Sequence, residues 1–288
     1  MGKILWLASY PKSGNTWLRA FLHNLFMNPE RPVPLNNLVR FCHQDSNADW
    51  CQAVLDSRAE ADESDQKLSV RRADSLSKDE IAKLRPLIHE RLTRTYPDSV
   101  FVKTHNALIV DRGTPLITME HTGVAIYVVR YPLDVVISYA DHSGMSIDEA
   151  IMRLGQNVQT ENTEKFIYEY RGSWSLHVDS WTKVSHPGLH VVRYEDLMAQ
   201  PVEAFGALCR FLGLDPPRER LMKAIEFSSF DQLSRQEAEE DFRERTVAQK
   251  RVFRQGKADG WRDVLTPAQA AQIVGRHGAQ MARFGYLI

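Results

Sequence analysis

Four short tracts carry side chains suited to holding an anion or moving a proton. The first is Ser9-Tyr10-Pro11-Lys12-Ser13-Gly14-Asn15-Thr16-Trp17. A glycine-containing loop that opens a helix binds phosphate or sulfate. The first-turn N–H groups lack intrahelical partners and lie at the positive end of the helix dipole. Lys12 adds a full charge, and Ser13, Asn15 and Thr16 add short side-chain donors. The Walker order is absent, because Lys12 precedes Gly14 instead of following the glycines. The second tract, Lys103-Thr104-His105, sets an imidazole beside an ammonium group. An imidazole titrates near ~6.5 without special tuning, so His105 can serve as a base at neutral pH. The third tract is Arg130-Tyr131-Pro132-Leu133-Asp134, with Ser138 beyond it. Its guanidinium can grip a phosphate bidentately or pair with Asp134. The fourth, Arg193-Tyr194-Glu195-Asp196, offers two carboxylates whose expected work is helix capping and ion pairing.

Each tract follows an apolar run that reads as a strand. Residues 3–9 form a short, continuously apolar segment ending in Tyr-Pro, the pattern of a buried parallel strand. Residues 100–103, 124–129 and 189–193 have the same character. Between them lie helical patterns. Residues 15–27 place Trp17, Leu18, Phe21, Leu22, Leu25 and Phe26 on one side. Ser77 with Glu80, and Ser146 with Glu149, spell capping boxes, while Pro201 and Pro267 suit first-turn positions. Strands alternating with helices predict an α/β fold with a central parallel sheet covered on both faces. Ligands bind such sheets at the carboxyl ends of the strands, so Lys103 and His105 are expected to open into the same crevice as the Lys12 loop. Residues 28–72 and 234–260 lack clear periodicity. The first is expected to be a mobile acceptor-side loop and the second a lid.

Composition narrows the classes. The 288 residues suffice for one large α/β domain or two small ones. Hydrophobic residues at 43% and charged residues at 25% exclude collagen-like, low-complexity and wholly disordered chains. Lys plus Arg total 36 against 37 Asp plus Glu, so the broad basic field of a general nucleic-acid or anionic-membrane binder is missing. Any bound anion must be held by a local cluster. Three cysteines, Cys42, Cys51 and Cys209, make no even disulfide framework and point to a reducing compartment. Cys42, His43 and Cys51 match no common zinc spacing. No apolar run approaches 18 residues, and residues 4–8 are too short for a signal-peptide core. A cytoplasmic protein with no membrane or nucleic-acid partner is expected.

In sequence order the tracts resemble those of the soluble sulfotransferases that use 3′-phosphoadenosine 5′-phosphosulfate (PAPS). The family's Tyr-Pro-Lys-Ser-Gly-Thr-Thr-Trp is similar to Tyr10 through Trp17, and its Lys-Thr-His matches Lys103-Thr104-His105. Its Arg-Asn-Pro-x-Asp with a later serine resembles Arg130 to Asp134 and Ser138. Its Tyr-Glu-Asp and Phe-Leu-Gly match Tyr194-Glu195-Asp196 and Phe211-Leu212-Gly213. Ser229-Phe230, Arg254-Gln255-Gly256 and Gly260-Trp261 resemble further elements near the family's C-terminus. The resemblance implies a single P-loop-like α/β domain over residues 1–288, with about five parallel strands; the hydropathy pattern places four. It implies that Lys12, Ser13, Gly14, Asn15 and Thr16 hold the 5′-phosphosulfate. Trp17 and Phe230 would flank the adenine, with Tyr194 near its amino edge. Arg130, Ser138, Arg254, Gln255 and Gly256 would surround the 3′-phosphate. Catalysis would fall to His105 as base, with Lys12, Lys103 and Ser138 around the transferred group. PAPS would leave as PAP, and no metal is required.

Two positions depart from the family pattern. Asn15 replaces a threonine, and Gln255 replaces a lysine and so removes a charge from the 3′-phosphate region. The dimer signature of the animal enzymes should fall between Arg262 and Ala271, where Pro267 and Ala271 break it; monomer and homodimer both stay open. With the first strand at residues 3–9, the membrane anchor of Golgi-type relatives is not expected. A small-molecule hydroxyl is the expected acceptor, of unspecified class. A P-loop-type kinase would need a lysine after the glycine loop and an acid for magnesium. A non-catalytic adenosine-nucleotide binder is the other alternative.

Overall fold

In the computed structural model, which describes residues 2–61, 71–246, 248–249, 251–253, 256 and 258–286, the apolar runs become strands of one sheet. These are β1 (Lys3–Ser9), β2 (Cys42–Gln44), β3 (Ser99–Thr104), β4 (Thr122–Val129) and β5 (Leu189–Arg193). Their order is β2-β3-β1-β4-β5, all parallel, with helices flanking the sheet. Ile4, Trp6, Leu7 and Ala8 are fully buried, as burial on both faces requires of a continuously apolar strand. The Trp6 indole still finds a partner, donating to Thr122 Oγ1 at 2.8 Å. The β1–β3 ladder runs from Lys3 opposite Ser99 to Ala8 opposite Thr104.

The helices are α1 (Asn15–Met27), α2 (Leu38–Phe41), α3 (Ala48–Ala61), α4 (Lys78–Thr95), α5 (Pro132–Ser143), α6 (Ile147–Leu154), α7 (Trp174–Thr182), α8 (Tyr194–Ala199), α9 (Pro201–Phe211), α10 (Arg218–Phe227), α11 (Phe230–Glu239) and α12 (Pro267–Arg283). The capping boxes form at α4 and α6 as the sequence predicts, and Thr266 with Gln269 makes another at α12. Pro132, Pro201 and Pro267 each occupy a first turn, where the missing N–H costs no helix bond.

One sequence expectation is corrected here. Residues 28–72 read as irregular, yet residues 35–61 hold a 3₁₀ turn, α2, β2 and the 14-residue α3. The fifth strand, which the hydropathy pattern did not locate, is β2. It is three residues long, lies at the sheet edge and pairs only with β3, setting Cys42 opposite Phe101 and Gln44 opposite Lys103. A strand of that length has no period to read. Residues 62–70 lie outside the described residues.

The chain forms two compact units. The first comprises residues up to Ala8, Cys42–Ala125 and Asn157–Leu189; the second comprises Ser9–Phe41, Ile126–Gln156 and residues from His190 onward. Among the described residues no helix is long and apolar enough to cross a membrane.

Candidate active site

In the second unit the chain leaves β1 at Ser9 and turns into α1 through a loop with two left-handed residues, Lys12 at φ 69° and Gly14 at φ 100°. Gly14 has no alternative: a Cβ there would lie 2.6 Å from the Tyr194 ring. No side chain caps α1 and no acid occupies its first turn, so no carboxylate of its own balances the positive end of its dipole. At that helix end the buried Ser13 hydroxyl has no hydrogen-bond partner among the described residues. A buried polar group without a partner is costly, and a bound anion is the partner this geometry offers. Asn15 behaves differently from expectation. Its amide nitrogen donates to Ser9 Oγ at 3.3 Å and its side chain is buried, so it braces the loop from inside.

Arg130, just past β4, is bound to this loop. Its Nη1 donates to Lys12 O at 3.0 Å, its guanidinium lies 4.3 Å from the Tyr194 ring centroid, and its buried Nε has no partner. The alternative pairing with Asp134 is not what Asp134 does. Its carboxylate accepts the amides of Asp259 and Trp261 at 2.9 and 3.0 Å, which ties the start of α5 to the 3₁₀ turn Gly260–Asp263. Burial raises the Asp134 pKa, against the pull of Arg130 and those amides. Glu195 is likewise structural. It accepts from the Tyr131 amide at 2.9 Å and from the Tyr286 hydroxyl at 2.8 Å, joining the loops that carry Arg130 and Tyr194. Lys12 Nζ lies 3.5 Å from His142 Nδ1 near the end of α5, the helix that also carries half-buried Ser138.

Aromatic side chains gather around Trp17. Trp17 meets Tyr194 and Phe205 edge-on, at 5.5 and 5.6 Å between centroids. Trp17 and Phe230 pack on a cluster that includes Leu35, Leu38, Leu233 and Phe253. Gly256, at φ 57°, lies against Phe230, where a Cβ would come within 2.2 Å of the ring. Arg254 and Gln255 lie outside the described residues. The charged segment after α11 is held by specific bonds. Arg19 grips Glu244 with both terminal nitrogens, and Glu237 accepts the amides of Val252 and Phe253.

In the first unit Lys103 ends β3 with Thr104, and His105 follows. Lys103 and His105 are half-buried, whereas Thr104 and Asn106 are fully buried. The His105 carbonyl accepts from His177 Nε2 at 3.2 Å, and the Asn106 carbonyl from Trp181 Nε1 at 3.0 Å. Two carboxylates near this tract escaped the sequence reading. Asp45 follows β2 directly. Glu169 accepts from Ser46 Oγ at 2.9 Å and from Arg171 at 2.7 and 2.9 Å. Burial alone would raise the Glu169 pKa, but the Arg171 and His105 charges and the hydrogen bonds outweigh it and hold the carboxyl at about 2. Neither acid belongs to a motif; a polar residue inside a stretch that reads as loop was the sole signal.

The class is that of a parallel α/β protein with an uncapped helix after its first strand, lined by lysine, arginine and a buried hydroxyl, an arrangement suited to an anion. The particular family follows from comparison. The sulfotransferase domain model matches residues 3–285, and the chain belongs to the sulfotransferase family. It is similar to Cytosolic sulfotransferase 1 of Danio rerio, 24% identical over 286 residues, covering 93% of this chain and 79% of that protein. Its match to Sulfotransferase 1A1 of Canis lupus familiaris is 24% identical over 200 residues, covering 66% of this chain and 64% of that protein; the chain thus spans just under two thirds of the canine protein. Solved structures share the fold. Mouse sulfotransferase SULT7A1 complexed with PAP superposes with a TM-score of 0.60 at 18% identity, covering 97% of this chain and 84% of that one. Retinol dehydratase in complex with androsterone and inactive cofactor PAP gives 0.62 at 19% identity, covering 96% and 80%.

Proposed function

We propose that this protein transfers the sulfuryl group of PAPS to a hydroxyl of a small or medium acceptor by in-line displacement, with His105 as general base. The observation that carries the proposal is the uncapped N-terminus of α1 beside the buried, unpartnered Ser13 hydroxyl. These residues fit a 5′-phosphosulfate, and Gly14 and Gly256, lacking side chains, let the Tyr194 and Phe230 rings lie directly against the backbone of the segments that would hold the nucleotide. When bound, PAPS supplies an activated sulfuryl group on a phosphate leaving group. Lys12, Ser13, Thr16 and the backbone of Gly14 and Asn15 hold its 5′ end, with the Asn15 side chain bracing the loop from inside. Arg130, Ser138, Arg254, Gln255 and the Gly256 backbone hold the 3′-phosphate. Trp17, Phe230 and Tyr194 serve the adenine. His105 takes the acceptor's hydroxyl proton as the new S–O bond forms. Lys12 balances the charge left on the departing phosphate oxygen, and Lys103 steadies the sulfuryl oxygens. Cys42, Cys51 and Cys209 are buried thiols outside any disulfide, which accords with a cytoplasmic setting.

The test is a thermal melt in EDTA with PAP, set against AMP and against ATP with magnesium. Ligand at ~100 times its Kd adds about 2.7 kcal/mol to the folded state. Stabilisation by PAP is expected; stabilisation by ATP with magnesium alone would transfer the protein to phosphoryl chemistry. His105→Ala should keep the PAP shift and lose about 10²–10⁴-fold in turnover. Unchanged turnover would remove His105 from the role of base.

A further inference from the structure

The end of β3 presents two faces. Successive residues of a strand point to opposite sides, so Lys103 takes one side and Thr104 the other, and Asn106, past the strand end, shares the anchor of Thr104. The second side is anchored to a single carboxylate. Thr104 Oγ1 donates to Asp45 Oδ2 at 3.0 Å and Asn106 Nδ2 donates to the same oxygen at 2.6 Å. The Asp45 amide in turn donates to Lys103 O at 2.9 Å. Asp45 therefore grips the residue before His105, the residue after it and the one before that pair. Asn106 is held from its other end as well, its Oδ1 accepting the Tyr170 amide at 2.8 Å.

The carboxylate is 1% exposed, and the groups around it are equally dry. Arg85 Nη1 donates at 3.2 Å and His89 Nε2 at 3.0 Å, while His89 Nδ1 meets Thr118 Oγ1 at 2.8 Å. Thr118, His89 and Asp45 stand in the order of a hydrolase triad. All three are buried, so no substrate reaches them, and the network acts outward through the 103–106 tract. A buried aspartate–arginine pair gains little stability over well-packed apolar residues, whereas its directional bonds select one backbone arrangement.

Resting on the assignment of His105 as base, we infer that Asp45 is a positioning residue for His105, locking the strand end from which the imidazole is presented. A reacting group displaced by about 1 Å loses up to about 10²-fold in rate, so a lock of this kind is worth having.

Thr104→Val deletes one donor to Asp45, together with the hydroxyl oxygen that accepts the Asn106 amide at 3.1 Å, at nearly constant volume, and leaves the Asp45–Arg85 pair in place. Thr104→Ser keeps the hydroxyl. Where valine is not accommodated, Thr104→Ala, which cannot clash, repeats the measurement. The first readout is the His105 ε1 ¹H–¹³C cross-peak, assigned by its loss in His105→Gln. It should move or broaden in Thr104→Val and return to the wild-type position in Thr104→Ser. The second is turnover with PAPS. Thr104→Val should lower kcat about 10- to 100-fold with KM for PAPS unchanged. In a His105→Ala background it should cost nothing further. An unmoved cross-peak in folded Thr104→Val, or the same loss with and without His105, would overturn the inference. A cross-peak that moves in a protein PAP does not stabilise would support the Asp45–His105 link and remove the sulfotransferase reading instead.

Discussion

Gly14 concentrates the steric demands of the phosphate loop in one position. An added methyl would sit 2.6 Å from Tyr194 Cδ2 and would hold a φ of 100° that L side chains rarely adopt. Tyr194 would have to move, and Arg130 stacks on its ring. Gly14→Ala should therefore lose the PAP-induced melting shift and destabilise the apoprotein by about 1–3 kcal/mol. A full PAP shift in this variant would mean that the loop does not bind the nucleotide. Asp45 makes a different demand on its surroundings. Burial raises its pKa, but Arg85, His89 and Asn106 outweigh that and hold the carboxyl at about 2. Asp45→Asn would keep the shape and strip the charge, leaving Arg85 buried without its counter-ion. A loss of about 3–5 kcal/mol in urea unfolding is expected; a loss below 1 kcal/mol would show that Arg85 finds another partner.

At the scale of elements, the start of α5 acts as a clamp. Pro132 sets the first turn, and Asp134, in the same turn, takes two amides from residues 259 and 261. Trp261 then packs edge-on against Tyr131 at 6.1 Å, next to Arg130. Asp134→Ala should cost about 1–3 kcal/mol, because two partly buried N–H groups lose their acceptor. It should also remove hydrogen-exchange protection at the amides of Asp259 and Trp261. Protection that persists there would assign those amides to another acceptor.

Across the whole molecule the buried titratable groups set the response to acid. Burial holds the His177 pKa at about 3 and the His277 pKa at about 4, far below 6.5. Below pH 6.5 the unfolded chain binds protons that these imidazoles refuse, so their contribution to stability falls as pH drops from 6.5 towards 4 and 3. Asp45 and Glu169 are displaced from 3.8 and 4.5 to about 2. Their contribution is complete above pH 4.5 and is lost as pH falls through 2. Both effects have the same sign, at about 1.4 kcal/mol per pH unit for each proton taken up. The urea midpoint should decline steadily from pH 7 to pH 4 and more steeply below; a midpoint that rises on acidification would contradict these burials.

Strong local signals made much of this protein legible in its sequence. Apolar runs located β1, β3 and β4, because a strand buried on both faces has to be apolar throughout, and β5 showed the same character although it lies at the sheet edge with only Val192 buried. The capping boxes fixed where α4 and α6 begin, since those bonds span only three residues. The loop from Lys12 to Thr16 was readable because a glycine turn entering a helix needs nothing distant to bind an anion. The tertiary structure alone decided the rest. Strand β2 exists because β3 offers an open edge, a partner more than 50 residues away that leaves no period in Cys42-His43-Gln44. The register of that pairing delivers Asp45 beneath Thr104 and Asn106. Whether a carboxylate inside a stretch that reads as loop is solvated, or is the buried anchor of a strand end, depends on which side chains the fold brings to it.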